Sequence, residues 1–222
     1  MDTINLLIHG FNGFTDDMDY LKDYLEKSGH KTCSAELAGH GGSRLDLHMT
    51  SHIDWIKSAE TELQKLLKEY KTVNLIGFSM GGLIAAYLAT KYKVGKLVFI
   101  NSPIYFWNFK LIILQILKDL KSGERSKIDY YFKSVNGAST KSGLDFVKLL
   151  IFTKDCLKRV NNEALILQCT HDETVRYKSA YYIKRKLGDK AKLKIYKGGH
   201  HVVFKKTRRL KDEFCKEIGI FL

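Results

Sequence analysis

The fold of this chain is indicated first by the stretch Val73-Asn74-Leu75-Ile76-Gly77-Phe78-Ser79-Met80-Gly81. Its first four residues form an apolar run that predicts a short buried β-strand. The residues from Met80 to Tyr92 have many small side chains and predict a closely packed helix. Between strand and helix lies G-x-S-x-G, the pattern in which a sharp turn presents a serine hydroxyl at the end of a sheet. Ser79 is therefore a candidate nucleophile.

The two glycines of this pattern have a physical reason. A turn that goes directly from a strand into a helix leaves no room for side chains on either side of the serine, so Gly77 and Gly81 are expected there. The turn also places the hydroxyl of Ser79 at the positive end of the helix that follows. The spacing thus suits a nucleophile and not merely a loop.

The rest of the chain alternates between apolar runs and helical patterns. The predicted strands, besides the one above, are Ile4–Ile8, Lys31–Leu37, Lys96–Ile100, Ala164–Cys169 and Lys192–Tyr196. The predicted helices are Asp16–Lys27, Ser51–Tyr70, Met80–Tyr92, Lys178–Leu187 and Lys205–Phe221. This alternation predicts βαβ units, and hence an α/β protein with a mostly parallel central sheet flanked by helices. Residues 104–160 interrupt the rhythm, because they show helical patterns and no strand.

Two later strands end in groups that could activate a serine. Asp172 follows the strand Ala164–Cys169, and His200 and His201 follow the last strand. A serine hydroxyl needs a base to take its proton, and the order serine, acid, histidine is that of the G-x-S-x-G hydrolases. Because the carboxyl ends of parallel strands gather at one edge, we expect Asp172 and one of the histidines to meet Ser79.

An oxyanion site needs two backbone N–H donors. Met80, directly after the candidate nucleophile, is expected to supply one of them. The loop His9-Gly10-Phe11-Asn12-Gly13 follows the first strand and is placed to supply the other, through the amide of Phe11.

These motifs together resemble the compact bacterial carboxylesterases and monoacylglycerol lipases of the α/β-hydrolase superfamily. The matching stretches are His9-Gly10-Phe11-x-Gly13, Gly39-His40-Gly41, Asp54-Trp55, the serine turn, Gln168-x-x-x-Asp172-Glu173-x-Val175 and Gly199-His200-His201-Val202. The resemblance implies a core of residues 1–103 and 161–222, with a helical cap inserted at 104–160. It implies Ser79 as nucleophile, Asp172 as acid, a late histidine as base, and Phe11 and Met80 as oxyanion donors.

The chain departs from this family at two places. It begins at what would be an internal strand of the family's sheet, so a truncated N-terminal edge of the sheet is expected. The histidine is also doubled. Because two apolar residues usually follow the base in the family, His201 before Val202-Val203 is the preferred base, and His200 remains the alternative.

The stretch from Tyr105 to Leu114 is apolar almost all round. A helix of this kind is buried or covers an apolar ligand. Phe106, Trp107 and Phe109 are therefore candidate substrate-binding residues in a lid over an acyl pocket. Packing within the cap is an equal alternative, and a face that touches lipid is a third.

Charge and cysteine content restrict the partners. The formal net charge is +13, and residues 176–211 account for all of it with 14 basic residues and one acidic residue. No zinc-finger, RNA-binding or helix-turn-helix pattern accompanies this segment, so we expect a basic solvated face, no nucleic-acid partner and at most weak contact with a membrane surface.

Four scattered cysteines and the absence of a signal peptide predict a cytoplasmic protein. No pattern indicates a metal or another cofactor.

The sequence thus predicts a serine hydrolase acting on short- to medium-chain acyl esters or monoacylglycerols. A thioesterase and a serine aminopeptidase remain alternatives, because one fold supports all three and the cap sets specificity. A ligand-binding protein on a hydrolase scaffold is the alternative outside enzymes. The sequence makes no prediction of the oligomeric state.

Overall fold

A computed structural model describes residues 2–105, 140–206 and 208–222. Its sheet consists of β1 (Thr3–Ile8), β2 (Lys31–Ala35), β3 (Thr72–Phe78), β4 (Leu97–Ile100), β5 (Ala164–Cys169) and β6 (Ala191–Tyr196). The strand order is β2-β1-β3-β4-β5-β6, and every pair is parallel. The predicted α/β architecture is confirmed, and the carboxyl ends of all six strands lie at one edge of the sheet.

The helices of the described residues separate the strands along the chain. They are α1 (Asp19–Lys27), α2 (Arg44–Met49), α3 (His52–Glu69), α4 (Met80–Lys91), α5 (Thr140–Lys154), α6 (Lys178–Leu187), the short α7 (Val203–Lys206) and α8 (Arg208–Phe221). None of the helices in these parts of the chain combines the length and the apolar composition that crossing a bilayer requires.

Both faces of the sheet are covered, which explains why the inner strands β1, β3, β4 and β5 are largely apolar and buried. Along β1, Leu6 and Ile8 pack on one side with α3, α4, α5 and α6, whereas Leu7 packs on the other side with α1 and α8. Successive side chains of a strand point to opposite faces, so the two hydrophobic layers alternate residue by residue. The two layers hold the sheet rigid beneath its carboxyl edge.

A short polar ladder crosses the amino ends of four strands. The side chain of Asn5 donates to the carbonyl of Lys31 at 2.9 Å, and that of Asn74 donates to Asn5 Oδ1 at 2.9 Å. Asn74 Oδ1 in turn accepts from the amide of Lys96 at 2.7 Å. Buried amides are tolerated when their hydrogen bonds are made. These bonds link β2, β1, β3 and β4 at the end of the sheet opposite the serine turn.

Three predicted elements need correction. The expected helix Asp16–Lys27 begins as a 3₁₀ turn, Thr15–Met18, before α1. The expected last helix Lys205–Phe221 is described as the short α7, which begins earlier at Val203, and as α8, which begins at Arg208, with residue 207 outside the described residues. The strand predicted to reach Leu37 ends at Ala35.

Helix α2 was not predicted, because the glycine-rich stretch before it indicated only a loop. Its signal is Ser43-x-x-Asp46. The hydroxyl of Ser43 accepts from the amide of Asp46 at 3.3 Å, and Asp46 Oδ2 accepts from the amide of Ser43 at 2.6 Å. This capping box satisfies amide donors that a helix cannot pair internally, and it starts even a six-residue helix.

The predicted cap is described only in part. Within 140–160 the chain is helical, as α5 and a 3₁₀ turn Asp155–Arg159, and α5 packs on α2, α3 and α4. Phe106, Trp107 and Phe109, the candidate substrate-binding residues, lie outside the described residues. The division into 1–103, 104–160 and 161–222 stays a prediction.

Candidate active site

Ser79 lies in the turn between β3 and α4 with φ 50° and ψ −118°. Positive φ is uncommon for a residue with a side chain, and such a conformation costs about 1–3 kcal/mol unless neighbours impose it. Here the amide of Ser79 donates to the carbonyl of Ile100 at 2.7 Å, which ties the turn to the end of β4. The strained backbone is thereby held in place.

The glycines beside Ser79 are required by close backbone contacts. A Cβ on Gly81 would overlap the carbonyl oxygen of Ile8, and a Cβ on Gly77 would overlap the backbone of Gly82. These neighbours are backbone atoms, which cannot rotate away. The structure therefore gives the same reason for the two glycines that the pattern suggested.

His201 lies between Ser79 and Asp172. Its Nε2 is 3.0 Å from Ser79 Oγ, and its Nδ1 is 2.8 Å from Asp172 Oδ2. The side chains of Asp172 and His201 are 0% and 12% exposed. His200 instead lies outside this contact, with its Nδ1 3.4 Å from Glu173 Oε2 and 56% of its side chain exposed. The structure thus brings His201, and not His200, to the serine.

Asp172 is oriented by the loop that follows β5. Its Oδ1 accepts from the amides of Thr174 at 2.8 Å and Val175 at 2.7 Å, and its Oδ2 accepts from Gln168 Nε2 at 3.3 Å. With His201 as the fourth donor, the buried carboxylate has partners on both oxygens. A carboxylate held in this way fixes the ring plane of the histidine.

The proton positions follow from the chemistry of these groups. An ionised carboxylate only accepts hydrogen bonds, so the Nδ1 of His201 carries the proton that faces Asp172. The Nε2 of the neutral ring is then a lone-pair acceptor, and the Ser79 hydroxyl donates to it. This arrangement can remove the proton of Ser79 as its oxygen attacks an electrophilic carbon.

The loop after β1 lies against the serine turn. A Cβ on Gly10 would be 3.2 Å from the Cβ of Ser79, and the loop closes through a bond from the amide of Gly13 to the carbonyl of Gly10 at 3.3 Å. Met80 opens α4, where amides have no partner within the helix. The amides of Phe11 and Met80 are thus on two segments adjacent to Ser79, and their role as oxyanion donors stays a prediction.

The ring of Phe11 is held by an aromatic cluster and not by the site itself. Its centroid is 5.5 Å from that of Trp55 on α3 and 5.1 Å from that of Phe146 on α5. His40 packs edge-on against Trp55 at 5.3 Å. The cluster anchors the loop that carries the Phe11 amide, and it connects this loop to the described part of the cap.

Two further histidines, His9 in this loop and His40 beside it, have pKa values that burial lowers. Burial lowers the pKa of His9 from its ordinary value, and burial followed by the charge of His9 lowers the pKa of His40 to about 4. The two rings are 5.2 Å apart and are neutral near pH 7. Within the described residues, no three His, Cys, Asp or Glu side chains are grouped so as to hold a metal ion.

Asn101 is a site residue that the sequence reasoning missed. It directly follows β4, has φ 46° and is fully buried. Its Oδ1 accepts from the amide of Cys169 at 2.9 Å, and its Nδ2 donates to the carbonyl of His201 at 2.8 Å and more weakly to that of His200 at 3.4 Å. Asn101 therefore positions the histidine loop against the ends of β4 and β5. The only signal in the sequence is an asparagine directly after a strand.

Replacing Asn101 tests this positioning role. In Asn101→Asp the side chain keeps its shape but loses the N–H donors, and it brings a carboxylate towards two carbonyl oxygens. We expect kcat to fall about 10- to 100-fold with KM nearly unchanged, because a lost buried hydrogen bond is worth about 1–3 kcal/mol. The surface change Asn161→Asp is the control. Equal kcat values for Asn101→Asp and wild type, with only a lower melting temperature, would limit Asn101 to a structural role.

Comparisons with known proteins give a family match and two similar bacterial enzymes. Residues 2–207 match the model of a protein family described as "Serine aminopeptidase, S33". A thermostable monoacylglycerol lipase of Bacillus sp. (strain H-257) is 29% identical over 181 residues, which cover 77% of this chain and 70% of that protein. A carboxylesterase of Bacillus subtilis (strain 168) is 23% identical over 210 residues, which cover 91% of this chain and 85% of that protein.

A solved structure from work on two metagenome-derived lipolytic enzymes is similar in fold. It superposes with a TM-score of 0.83 at 18% identity and covers 99% of this chain and 93% of its own. At that identity the match bears on the fold alone. The strand order and the strand-turn-helix at Ser79 are accordingly those of the α/β-hydrolase fold.

Proposed function

The chain belongs to the family described as serine aminopeptidase, S33, and from that premise we propose that it is a serine hydrolase that cleaves carboxylic esters through an acyl-enzyme on Ser79. The observation that carries the proposal is the chain of contacts from Ser79 Oγ through His201 to Asp172, at 3.0 and 2.8 Å. A serine that merely caps a helix needs neither a histidine nor a buried carboxylate behind that histidine.

The reaction has two halves. Ser79 Oγ attacks the ester carbonyl while His201 Nε2 takes its proton, and the amides of Phe11 and Met80 stabilise the oxyanion of the tetrahedral intermediate. His201 then gives the proton to the leaving alcohol as the ester C–O bond breaks. A water molecule, deprotonated by the same nitrogen, attacks the acyl-enzyme, and the carboxylic acid leaves as Ser79 regains its proton.

The substrate class is proposed to be short- to medium-chain acyl esters or monoacylglycerols. The names of the two Bacillus relatives, a monoacylglycerol lipase and a carboxylesterase, support this choice. The aromatic rings of Phe11 and Phe146 beside the oxyanion loop also favour an apolar acyl group over a charged one. A thioester would pass through the same acyl-enzyme and remains the nearest alternative.

An aminopeptidase activity is suggested by the family's description, but the described acids of the cap do not favour it. Such an enzyme needs a free carboxylate for the substrate's amino group. Asp145 is buried and already faces His52 at 3.0 Å, Lys148 at 3.3 Å and Lys141 at 3.5 Å. Asp155 is 81% exposed and pairs with Lys158 at 3.1 Å. Neither of these two carboxylates is available in a pocket.

A hydrolysis panel tests the proposal. We expect wild type to hydrolyse nitrophenyl esters between acetate and laurate, as well as monoacylglycerols, and to do so faster than acyl thioesters or aminoacyl anilides. Ser79→Ala should abolish this turnover and also labelling by a fluorophosphonate, because the variant lacks the nucleophile. If wild type showed neither Ser79-dependent turnover nor labelling, the enzyme proposal would fail. The chain would then be interpreted as a ligand-binding protein on this scaffold.

A cytoplasmic location is part of the same proposal. All four cysteines, Cys33, Cys156, Cys169 and Cys215, are free thiols, and burial raises the pKa of the Cys169 and Cys215 thiols to about 12. Unpaired cysteines suit a reducing compartment.

A further inference from the structure

Several large apolar side chains are exposed at the end of α5 and along α6. Ile151 and Phe152 are 63% and 51% exposed, and Tyr177 and Tyr181 are 38% and 52% exposed. The two tyrosines are four residues apart at the start of α6, and their ring centroids are 6.3 Å apart. Phe152 contacts the ring of Tyr87 on α4, with the two centroids 5.1 Å apart. Ile151, Tyr177 and Tyr181 remain as the large exposed apolar side chains of this surface.

Three cations join these two elements into one surface around the ring of Tyr182. Lys154 Nζ at the end of α5 lies 5.2 Å from the ring centroid, Arg185 Cζ 5.4 Å and Lys186 Nζ 5.3 Å. Ile151 is one helical turn before Lys154 and so lies on the same side of α5. Arg185 is one turn after Tyr181 on α6. The apolar and basic side chains are therefore interleaved.

Among the residues that the structure describes, the positive charge of this surface is not neutralised by acidic neighbours. Helix α6 contains Lys178, Lys184, Arg185 and Lys186 and no acidic residue. Among the described residues, no carboxylate forms an ion pair with any of these four or with Lys154, and the nearby Asp155 is paired with Lys158. A concentrated positive potential attracts an anionic partner.

We propose that this aromatic-basic face, defined by Ile151, Lys154, Tyr177, Lys178, Tyr181 and Arg185, docks the protein on an anionic phospholipid bilayer. Tyrosine rings favour the boundary between water and lipid because one end is apolar and the other polar. Lysine and arginine beside them are attracted to anionic headgroups. A nucleic acid would pair with the cations but would leave Ile151 without a role, whereas the acyl boundary of a bilayer accommodates an apolar side chain.

The face adjoins the candidate active site, so docking would bring that site close to lipid. The amide of Val175 bonds to Asp172 Oδ1, and the amide of Arg176 bonds to the carbonyl of Tyr105 at 2.9 Å. Tyr177 comes next and begins the face. Docking there brings the carboxyl edge of the sheet close to the lipid. This part of the inference rests on the proposed ester hydrolysis, whereas the docking itself does not.

Vesicle co-sedimentation of the whole chain tests the proposal. We expect binding to vesicles of equal parts phosphatidylglycerol and phosphatidylcholine, none to phosphatidylcholine alone, and weaker binding as salt rises. The pair Lys178→Gln and Arg185→Gln should weaken binding about 30-fold, because each basic residue near the surface contributes about a fivefold gain. The pair Ile151→Ser and Tyr181→Ser should reduce the binding that remains at high salt.

A matched control separates this face from net charge. The pair Lys71→Gln and Arg209→Gln removes the same charge from exposed positions at the amino end of β3 and on α8, and it should leave vesicle binding nearly unchanged. The proposal would be overturned if the two charge-removing double variants lost vesicle binding equally, or if wild type did not bind anionic vesicles. The proposal would also be overturned if a variant of this face lost retention on DNA but bound vesicles as wild type does. All variants should hydrolyse a water-soluble ester as wild type does. Hydrolysis of that ester therefore tests the proposed activity independently of vesicle binding.

Discussion

His201→Ala is expected to lower kcat for ester hydrolysis about 10⁴-fold or more, whereas His200→Ala should stay within about threefold of wild type. The reason is the position of one ring. His201 Nε2 faces Ser79 Oγ and its Nδ1 faces Asp172, so its removal deprives the serine of its base and the carboxylate of one of its four donors. His200 is more than half exposed and faces Glu173 instead.

Steady-state kinetics with a nitrophenyl ester, together with the rate of fluorophosphonate labelling, measures this difference. The two histidines are neighbours in sequence, so each variant is the control for the other, and both should keep the melting temperature of wild type within a few degrees. If His200→Ala were the inactive variant, the assignment of the base would have to be exchanged. If neither were impaired, the serine would not be acting with a histidine base.

Gly81→Ala is expected to lower the free energy of unfolding by about 3 kcal/mol or more, or to prevent folding. The added Cβ would overlap the carbonyl oxygen of Ile8, which belongs to the internal strand β1. Strand β1 bonds to both β2 and β3, so it cannot move aside without breaking the sheet. The helix preference of alanine over glycine, about 1 kcal/mol, is too small to compensate.

Gly219→Ala on α8 is the matched control, because its Cβ would meet Tyr24 Cε1 at 3.6 Å and Leu25 Cδ2 at 3.9 Å, both ordinary contact distances. We expect this variant to be as stable as wild type or more stable, by up to about 1 kcal/mol. Urea unfolding followed by circular dichroism gives both values. Similar stability for the two alanine variants would show that α4 can shift away from β1, and the steric account of the serine turn would fail.

Much of the fold could be predicted because its signals are local. The strand Ala164–Cys169 and the helix Lys178–Leu187 have the predicted bounds, since an apolar run and a 3.6-residue pattern are visible within a few residues. Helix α2 was not predicted, because a single capping box in a glycine-rich stretch is a weak local signal. The substrate-binding residues expected in the cap stay a prediction.

The candidate site divides in the same way. The sequence by itself determined the turn at Ser79, because the two glycines and the strand and helix around them are neighbours along the chain. It also supplied an acid and a pair of histidines in the order that such chemistry needs. Only the tertiary structure decided which histidine meets the serine and that Asn101 holds its loop. Those contacts join residues that are 29 to 122 positions apart, and their geometry depends on how the ends of β3, β4, β5 and β6 meet at one edge of the sheet, which no local pattern specifies.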